Sequence, residues 1–210
     1  MPLSAAACAV ATHTGEFDCV AIRSENNQKV VEFRHETTPA TGGEGATLPD
    51  VGRLREVYET FGAVIFYFDP ISGDSARRLA PPSEWRELAA SFGRWVDDLS
   101  EAEWLEFLPA GASGEVLVIG ETPHSGNYVL MPTAGELGGH VFEFDHDGFE
   151  CIDVADDLEQ YLERMLKPDA ARLTDFASHM RFMMDDEPGG HQWWIKQMRD
   201  TDGRVVQTAV

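Results

Sequence analysis

Apolar residues recur at helical spacing in several stretches of the chain. Between residues 54 and 61 they stand at i, i+3, i+4 and i+7, which is one face of a helix that Gly62 is placed to end. Ser83 suits the N-cap of a second helix, and the pair Ser100 and Glu103 forms a capping-box signature for a shorter one. The helices predicted in this way span residues 54–61, 83–99, 100–107, 156–166 and 169–184.

Short apolar runs separated by turn residues predict strands. FDCVAIRS and KVVEFRH form an N-terminal hairpin with ENNQ as its turn, and Asp202-Gly203 joins two strands near the C-terminus. The other predicted strands are AVIFYFD, EVLVIGE, NYVLMPT, GHVFEFD and FECIDV. Because the connections between Glu115 and Val154 are short, we expect hairpins and adjacent antiparallel strands there. Amphipathic helices combined with antiparallel strands predict an α+β fold.

The composition is that of a folded protein. With 210 residues, of which 43% are hydrophobic and 12 are Phe, the chain can bury one good-sized core. No apolar run approaches the ~20 residues that a membrane span needs. The three cysteines, Cys8, Cys19 and Cys151, are odd in number and form no CxxC pair. They fit a reducing cytoplasm, where free thiols act as small buried hydrophobes.

The charge is strongly uneven along the chain. From Trp95 to Glu163 the sequence has no Lys or Arg but 17 Asp and Glu, in a chain whose formal net charge is −21. These residues include apolar runs that only a folded sheet would bury, so the charge belongs to a folded surface. Such a surface attracts oppositely charged partners and speeds their association. The implied partner is a basic protein, since direct nucleic-acid binding needs the opposite sign.

The most suggestive cluster for chemistry is Asp145-His146-Asp147, which Gly148 follows. Two carboxylates and an imidazole could bind a divalent metal or act in acid–base catalysis, as in a small metal-dependent hydrolase. The spacing does not fit an EF-hand loop, and Asp and Gly between two strands are typical of a hairpin turn. The sequence has no nucleophile elbow, Walker A motif or zinc spacing. We therefore interpret the cluster as a turn and assign no catalytic, metal or cofactor-binding residue.

Several short motifs follow one another in a recognisable order. They are a Leu-Pro before an amphipathic helix with Tyr and Phe, a strand start at Gly-Asn, a Gly-x-Val strand that ends in Asp-His-Asp, and a closing helix. The residues that carry them are Leu48, Pro49, Tyr58, Phe61, Gly126, Asn127, Gly139, Val141, Asp145, His146, Asp147, Leu158, Tyr161 and Leu162. In this order and spacing, over residues 48–166, the chain resembles the SUKH superfamily. That superfamily includes immunity proteins of bacterial toxin systems and a fungal regulator of cell-wall synthesis.

The chain departs from the family pattern at several places, and its helical segment from Ser83 to Phe107 is longer than the family pattern leads one to expect. Asn127 stands where the family has Asp, and Phe61-Gly62-Ala63 stands where it has Asn-Gly-Gly. The resemblance implies a curved, mainly antiparallel sheet flanked by helices. It divides the chain into an N-terminal hairpin and loop that pack on the main domain (1–47), a SUKH-like domain (48–166), and a C-terminal helix and strand extension of the same globule (167–210).

Charge and resemblance together favour a cytoplasmic, non-catalytic immunity protein that neutralises a basic toxin, such as a nuclease, by occlusion. A regulatory or scaffold protein of the same superfamily and the small hydrolase are the alternatives. Carboxylates spread over an open face would favour the binder, whereas carboxylates with raised pKa around one pocket would favour the hydrolase. The carboxylates expected to contact the partner are Glu121, Glu136, Asp145, Asp147, Glu150, Asp156 and Asp157. No cofactor and no membrane contact are expected, and the oligomeric state stays open.

Overall fold

The computed structural model describes residues 8–21, 23–41, 45–100, 103–104, 107–108, 111–180 and 193–208. Its helices are α1 (Leu54–Thr60), α2 (Trp85–Val96), α3 (Leu158–Leu166) and α4 (Ala170–His179). Its strands are β1 (Thr14–Ala21), β2 (Ser24–Pro39), β3 (Phe61–Phe68), β4 (Arg77–Leu79), β5 (Ala112–Thr122), β6 (Asn127–Gly135), β7 (Val141–Asp145), β8 (Glu150–Ala155), β9 (Trp193–Asp200) and β10 (Val205–Thr208). None of the helices described here is both long and apolar enough to cross a membrane.

The ten described strands form one open sheet. Their order is β10-β9-β1-β2-β3-β4-β5-β6-β7-β8, and every neighbouring pair is antiparallel. The α+β class and the antiparallel pairing of the strands between residues 115 and 154 are thereby confirmed. Because β1 pairs with both β2 and β9, an early strand and a late strand of the sequence lie side by side in the sheet. Strands β8 and β10 are its edges.

Helices cover both faces of the sheet. On β7, Phe144 packs against Phe92 of α2, with ring centroids 5.3 Å apart. The preceding residue, Glu143, accepts a hydrogen bond from the hydroxyl of Tyr161 on α3 at 2.9 Å. Consecutive strand residues point to opposite faces of a sheet. Helix α2 therefore lies on one face, and α3 lies on the other.

The first predicted helix is confirmed, but it does not end where the sequence places its end. Helix α1 stops at Thr60 and β3 begins at Phe61, so Gly62 lies within a strand. A Cβ atom at Gly62 would lie 2.5 Å from the carbonyl oxygen of Pro39 on β2. The glycine therefore allows the two strands to approach closely and does not terminate the helix.

The second predicted helix begins later than expected. A 3₁₀ turn spans Pro82–Glu84 and α2 starts at Trp85 without a side-chain cap, so the assignment of Ser83 as N-cap is wrong. The capping box that follows is confirmed. The N–H of Ser100 donates to Oε2 of Glu103 at 2.8 Å, and Ser100 Oγ accepts from the N–H of Glu103 at 3.3 Å.

The N-terminal hairpin is confirmed with a different turn. Ala21 pairs with Ser24, so the chain reverses between these two residues and not at ENNQ. The next pair along the ladder is Val20 with Gln28, which leaves the polar residues between Ser24 and Gln28 as an insertion in β2. The register of the ladder therefore shifts between Val20 and Ala21, next to the reversal of the chain.

The remaining comparisons concern the C-terminal elements and a short strand that the sequence did not predict. The hairpin at Asp202-Gly203 is confirmed as β9 and β10. Helix α4 ends at His179 and Met180 is already extended, so the predicted helix is too long; residues 181–184 of the prediction lie outside the described residues. The three-residue strand β4, which joins the two halves of the sheet by pairing with β3 and β5, has no counterpart in the sequence prediction.

Candidate functional site

The Asp145-His146-Asp147 cluster forms the turn between β7 and β8, as the sequence predicts. Asp145 ends β7, Glu150 begins β8, and the N–H of Asp147 donates to Asp145 Oδ1 at 3.1 Å. The ligand-type atoms of the three cluster residues lie within 4.8 Å of one another. The side chain of Asp147 is 77% exposed. The turn geometry of Asp residues accounts for this proximity.

Asn127, at the start of β6, orients the histidine of this turn. Its Oδ1 accepts from the backbone N–H of His146 at 3.0 Å and lies 2.6 Å from Nδ1 of the same residue. Nε2 of His146 lies 3.1 Å from Asp147 Oδ1. Both ring nitrogens of His146 are therefore engaged by neighbouring groups of the turn and of β6.

Three of the predicted contact residues come together at the turn. Asp145 and Glu150 are opposite each other in the β7–β8 ladder. A Cβ atom at Gly148 would lie 3.3 Å from Asp145 Oδ2 and 3.3 Å from Glu150 Oε1. With Asp147 between them, these carboxylates give the turn a concentrated negative charge.

The other four predicted contact residues lie elsewhere. Glu121 on β5 forms an ion pair with Arg78 at 3.3 Å. Glu136 is exposed just after β6, at the opposite end of that strand from Asn127. Asp156 and Asp157 precede α3, where the side chain of Asp157 caps the helix. The seven carboxylates therefore form one local group of three and separate positions around the β5–β8 half of the sheet.

A cavity of about 450 Å³ lies beside the turn, between strands β5–β8 and the connection from α3 to α4. Four of the 16 basic residues of the chain line it: Arg77, Arg164, Lys167 and Arg172. The acidic residues that line it are Glu143, Asp145, Asp169 and Asp175. Opposite charges are thus present in equal number around this cavity, in contrast to the acidic surface beside it.

Two carboxylates neutralise the two arginines at the base of the cavity. Arg77 donates to Glu143 from Nε at 3.2 Å and from Nη2 at 3.3 Å, and it also pairs with Asp175. Arg172 pairs with Glu143, which also accepts from the Tyr161 hydroxyl. The side chain of Arg77 is only 3% exposed. We call these five residues the ionic cluster; it ties α3 and α4 to the sheet.

The arginines keep both carboxylates ionised. Burial by itself raises the pKa of Glu143, but the charges of Arg77 and Arg172 outweigh burial and hold this pKa below its usual range. Burial is likewise outweighed at Asp175, where Arg77 and a hydrogen bond from His179 lower the pKa to about 2. A general acid or base works best with a pKa near the working pH. Neither carboxylate is tuned for proton transfer at neutral pH.

His179, at the end of α4, connects the ionic cluster with the turn. Its Nδ1 lies 3.2 Å from Asp175 Oδ1, and its Nε2 lies 3.3 Å from Asn127 Nδ2. The hydrogen bond to Asp175 raises the pKa of His179. Since Asn127 also holds His146, a continuous chain of polar contacts runs from the exposed turn to the buried arginines.

Sequence reasoning missed the ionic cluster. Arg77 and Asp175 are 98 residues apart and lie outside any recognisable motif. One signal was available: Glu143 stands in the apolar run VFEF, on a strand whose neighbours are buried. A carboxylate at such a position requires a buried cationic partner. The sequence contains no local sign of which arginine that partner is.

No model of a known protein family matches the chain, and a search of curated proteins finds no match. The class that the fold and the site define is an antiparallel α+β protein. It combines an exposed acidic turn with an ionic cluster whose charges compensate one another.

Proposed function

We propose that this protein is a non-catalytic binding module, an acidic immunity protein that neutralises a basic toxin by covering its working surface. The observation that carries the proposal is the separation of charge. In the part of the chain that the structure describes, eight arginines lie within 4 Å of a carboxylate: Arg34, Arg53, Arg55, Arg77, Arg78, Arg172, Arg199 and Arg204. Much of the positive charge is thus compensated internally.

The negative charge stays largely on the surface. Glu136, Asp147, Glu150 and Asp156 are exposed, and in the described part of the chain none of them pairs with Lys or Arg. Exposed carboxylates of one sign attract a basic protein and raise its association rate. Nuclease toxins hold phosphates on basic surfaces, so an acidic protein is suited to cover them.

The pKa values of the buried carboxylates at the cavity favour a binding protein over a hydrolase. Acid–base catalysis would be supported by carboxylates with raised pKa, whereas the pKa values of Glu143 and Asp175 are lowered. The resemblance of residues 48–166 to the SUKH superfamily supports the more specific role of an immunity protein. The α+β architecture agrees with what that resemblance implies.

The first step is to establish whether the neighbouring upstream gene encodes a large secreted protein, whose C-terminal domain is then the toxin domain to test. Coexpression of this protein is expected to restore growth of cells that produce the toxin domain. Calorimetry should give a stoichiometric complex whose affinity falls as salt rises. Protection by substoichiometric amounts of this protein, with cleavage of the toxin, would indicate an enzyme and overturn the proposal. Absence of both complex and protection would also overturn it.

A further inference from the structure

Two aromatic side chains stand exposed beside the acidic turn. Trp95, near the end of α2, is 41% exposed, and Phe149, in the turn itself, is 42% exposed. Trp95 packs on the ring of His146 with centroids 5.0 Å apart, and Phe149 packs on Phe107 and Phe144 at 5.5 and 5.7 Å. Each ring is therefore held in place by neighbouring side chains while about two fifths of the residue stays exposed.

The backbone at Phe149 is strained. Its φ is +47°, a left-handed conformation that bulky residues rarely adopt, whereas the adjacent Gly148 is not in that region. A glycine next to the strained position would adopt this conformation at little cost. A strained backbone at a residue with an exposed ring supports a binding role for that residue.

Both rings adjoin the acidic turn: Trp95 packs on His146, which pairs with Asp147, and Phe149 lies between Gly148 and Glu150. Asp145, Asp147 and Glu150 belong to the same turn, and in the part of the chain that the structure describes none of them forms an ion pair with Lys or Arg. Aromatic anchors inside a polar rim are typical of the residues that dominate protein–protein affinity. A second copy of this chain is a poor occupant, since it would bring the same three carboxylates against their equivalents.

We propose that this turn is the docking point for an arginine of the basic partner, an inference that rests on the proposed function. The guanidinium stacks on Trp95 or Phe149, and its N–H groups donate to the carboxylates of Asp145, Asp147 and Glu150. Arginine fits better than lysine, because its planar group stacks on aromatic faces and bonds carboxylates in pairs.

The experiment titrates the full chain with capped heptapeptides of alternating glycine and arginine, glycine and lysine, or glycine and glutamate, followed by nitrogen–proton NMR. The arginine peptide should shift the Trp95 indole N–H signal and the amides of residues 146–150. It should bind roughly 3-fold more tightly than the lysine peptide, the advantage that stacking gives at an exposed site. The glutamate peptide should not bind.

Variants then locate the contact. Trp95→Ala and Phe149→Ala should each weaken arginine-peptide binding about 5-fold or more, as expected for anchors. The double variant Asp147→Asn/Glu150→Gln should weaken binding of the arginine peptide to a similar degree. Both positions are exposed, so the fold should be unaffected. Matched controls are Ile71→Ala, an apolar residue 76% exposed in another turn, and Glu32→Gln, an exposed carboxylate on β2. Both should keep binding within about 2-fold, since they lie outside the turn.

The outcomes separate the docking point from the proposed function. If the arginine peptide binds but shifts residues elsewhere and leaves Trp95 unchanged, the docking point is wrong while an acidic binding role stands. If neither basic peptide binds, both are overturned. Sedimentation that shows a dimer of this chain abolished by Trp95→Ala would assign the patch to self-association and overturn the inference.

Discussion

The guanidinium of Arg77 faces the carboxylate of Glu143 through two hydrogen bonds, Nε to Oε1 at 3.2 Å and Nη2 to Oε2 at 3.3 Å. Arg77 lies on β4 and Glu143 on β7, strands that two others separate in the sheet. Paired buried charges of this kind add little net stability, but loss of one partner leaves the other uncompensated. The pair therefore adds little stability when it is intact, but the fold depends on both partners being present.

Replacing Arg77 with Met should destabilise the protein strongly. Among the described residues, the change leaves Arg172 and Tyr161 as the remaining partners of the Glu143 carboxylate, and we expect a loss of about 3–5 kcal/mol in the free energy of unfolding. Urea denaturation followed by circular dichroism measures it. Arg34→Met is the matched control, because the exposed Arg34–Glu36 pair should contribute less than about 1 kcal/mol. Equal losses for the two variants would contradict the role of burial.

Asp175 should contribute to the loss of stability in acid. Its pKa in the folded state, about 2, is depressed below the usual value near 3.9. The stabilisation is therefore present above about pH 4 and is lost as the pH falls towards 2. Asp175→Asn should be less stable at pH 7 and should lose less stability than the parent protein between about pH 4 and 2. Parallel stability curves over that window would refute the assignment.

His35 should make stability depend on pH in a higher window. Burial, and secondarily the neighbouring His13, lower the pKa of His35 to about 2. Its Nδ1 accepts a hydrogen bond from the backbone N–H of Tyr67 at 3.0 Å. The unfolded chain takes up a proton near pH 6.5 that the folded protein excludes, so stability falls from that pH downward.

In His35→Asn, which keeps a hydrogen-bond acceptor, the slope of stability between about pH 6 and 4 should fall by up to about 1.4 kcal/mol per pH unit. Denaturant titrations at several pH values measure the slope. His124→Asn, in an exposed turn, is the matched control for the substitution itself. An unaltered slope in the His35 variant would show that this histidine is not excluded from protonation.

Gly139→Ala should be costly, because two glycines meet at that place. A Cβ atom at Gly139 would lie 2.4 Å from the backbone nitrogen of Gly52, and the φ of Gly139 is +90°. We expect a loss of about 2 kcal/mol or more from strain and overlap together. Gly73→Ala separates the two causes, since Gly73 has φ +76° but nothing within 4 Å of its added Cβ. A loss in Gly139→Ala no larger than in Gly73→Ala would exclude the overlap.

Neutralising exposed carboxylates should slow association with the basic partner. The combined change of Glu136, Asp147, Glu150 and Asp156 to their amides should reduce the association rate ~10-fold at low salt and less at high salt, because salt screens the attraction. Stopped-flow measurements with the toxin domain at two ionic strengths provide the test. Stability should change little, as exposed charges contribute little to it. Association of the parent protein that is insensitive to salt would leave the acidity as a solubility trait.

The elements that the sequence predicts well are those whose pattern is local. The strands from Glu115 to Val154, the helix around Tyr161 and the capping box at Ser100 each follow from periodicity or turn chemistry within a few residues. The acidic turn at Asp145 belongs with them, because Asp and Gly between two strands specify a hairpin without reference to the rest of the chain. Helix ends are predicted less well. Gly62 ends no helix, because it lies within β3, where the absence of a side chain allows close approach to β2.

What the sequence by itself determined is the class of fold, the antiparallel half of the sheet and the acidity of the surface. Only the tertiary structure decided that Arg77 meets Glu143 and Asp175, that β9 pairs with β1, and that Trp95 and Phe149 stand beside the same turn. Alternation of residues along a strand settles which face a side chain takes. Which distant residue it meets depends on strand order and helix placement, and these result from packing the whole chain at once.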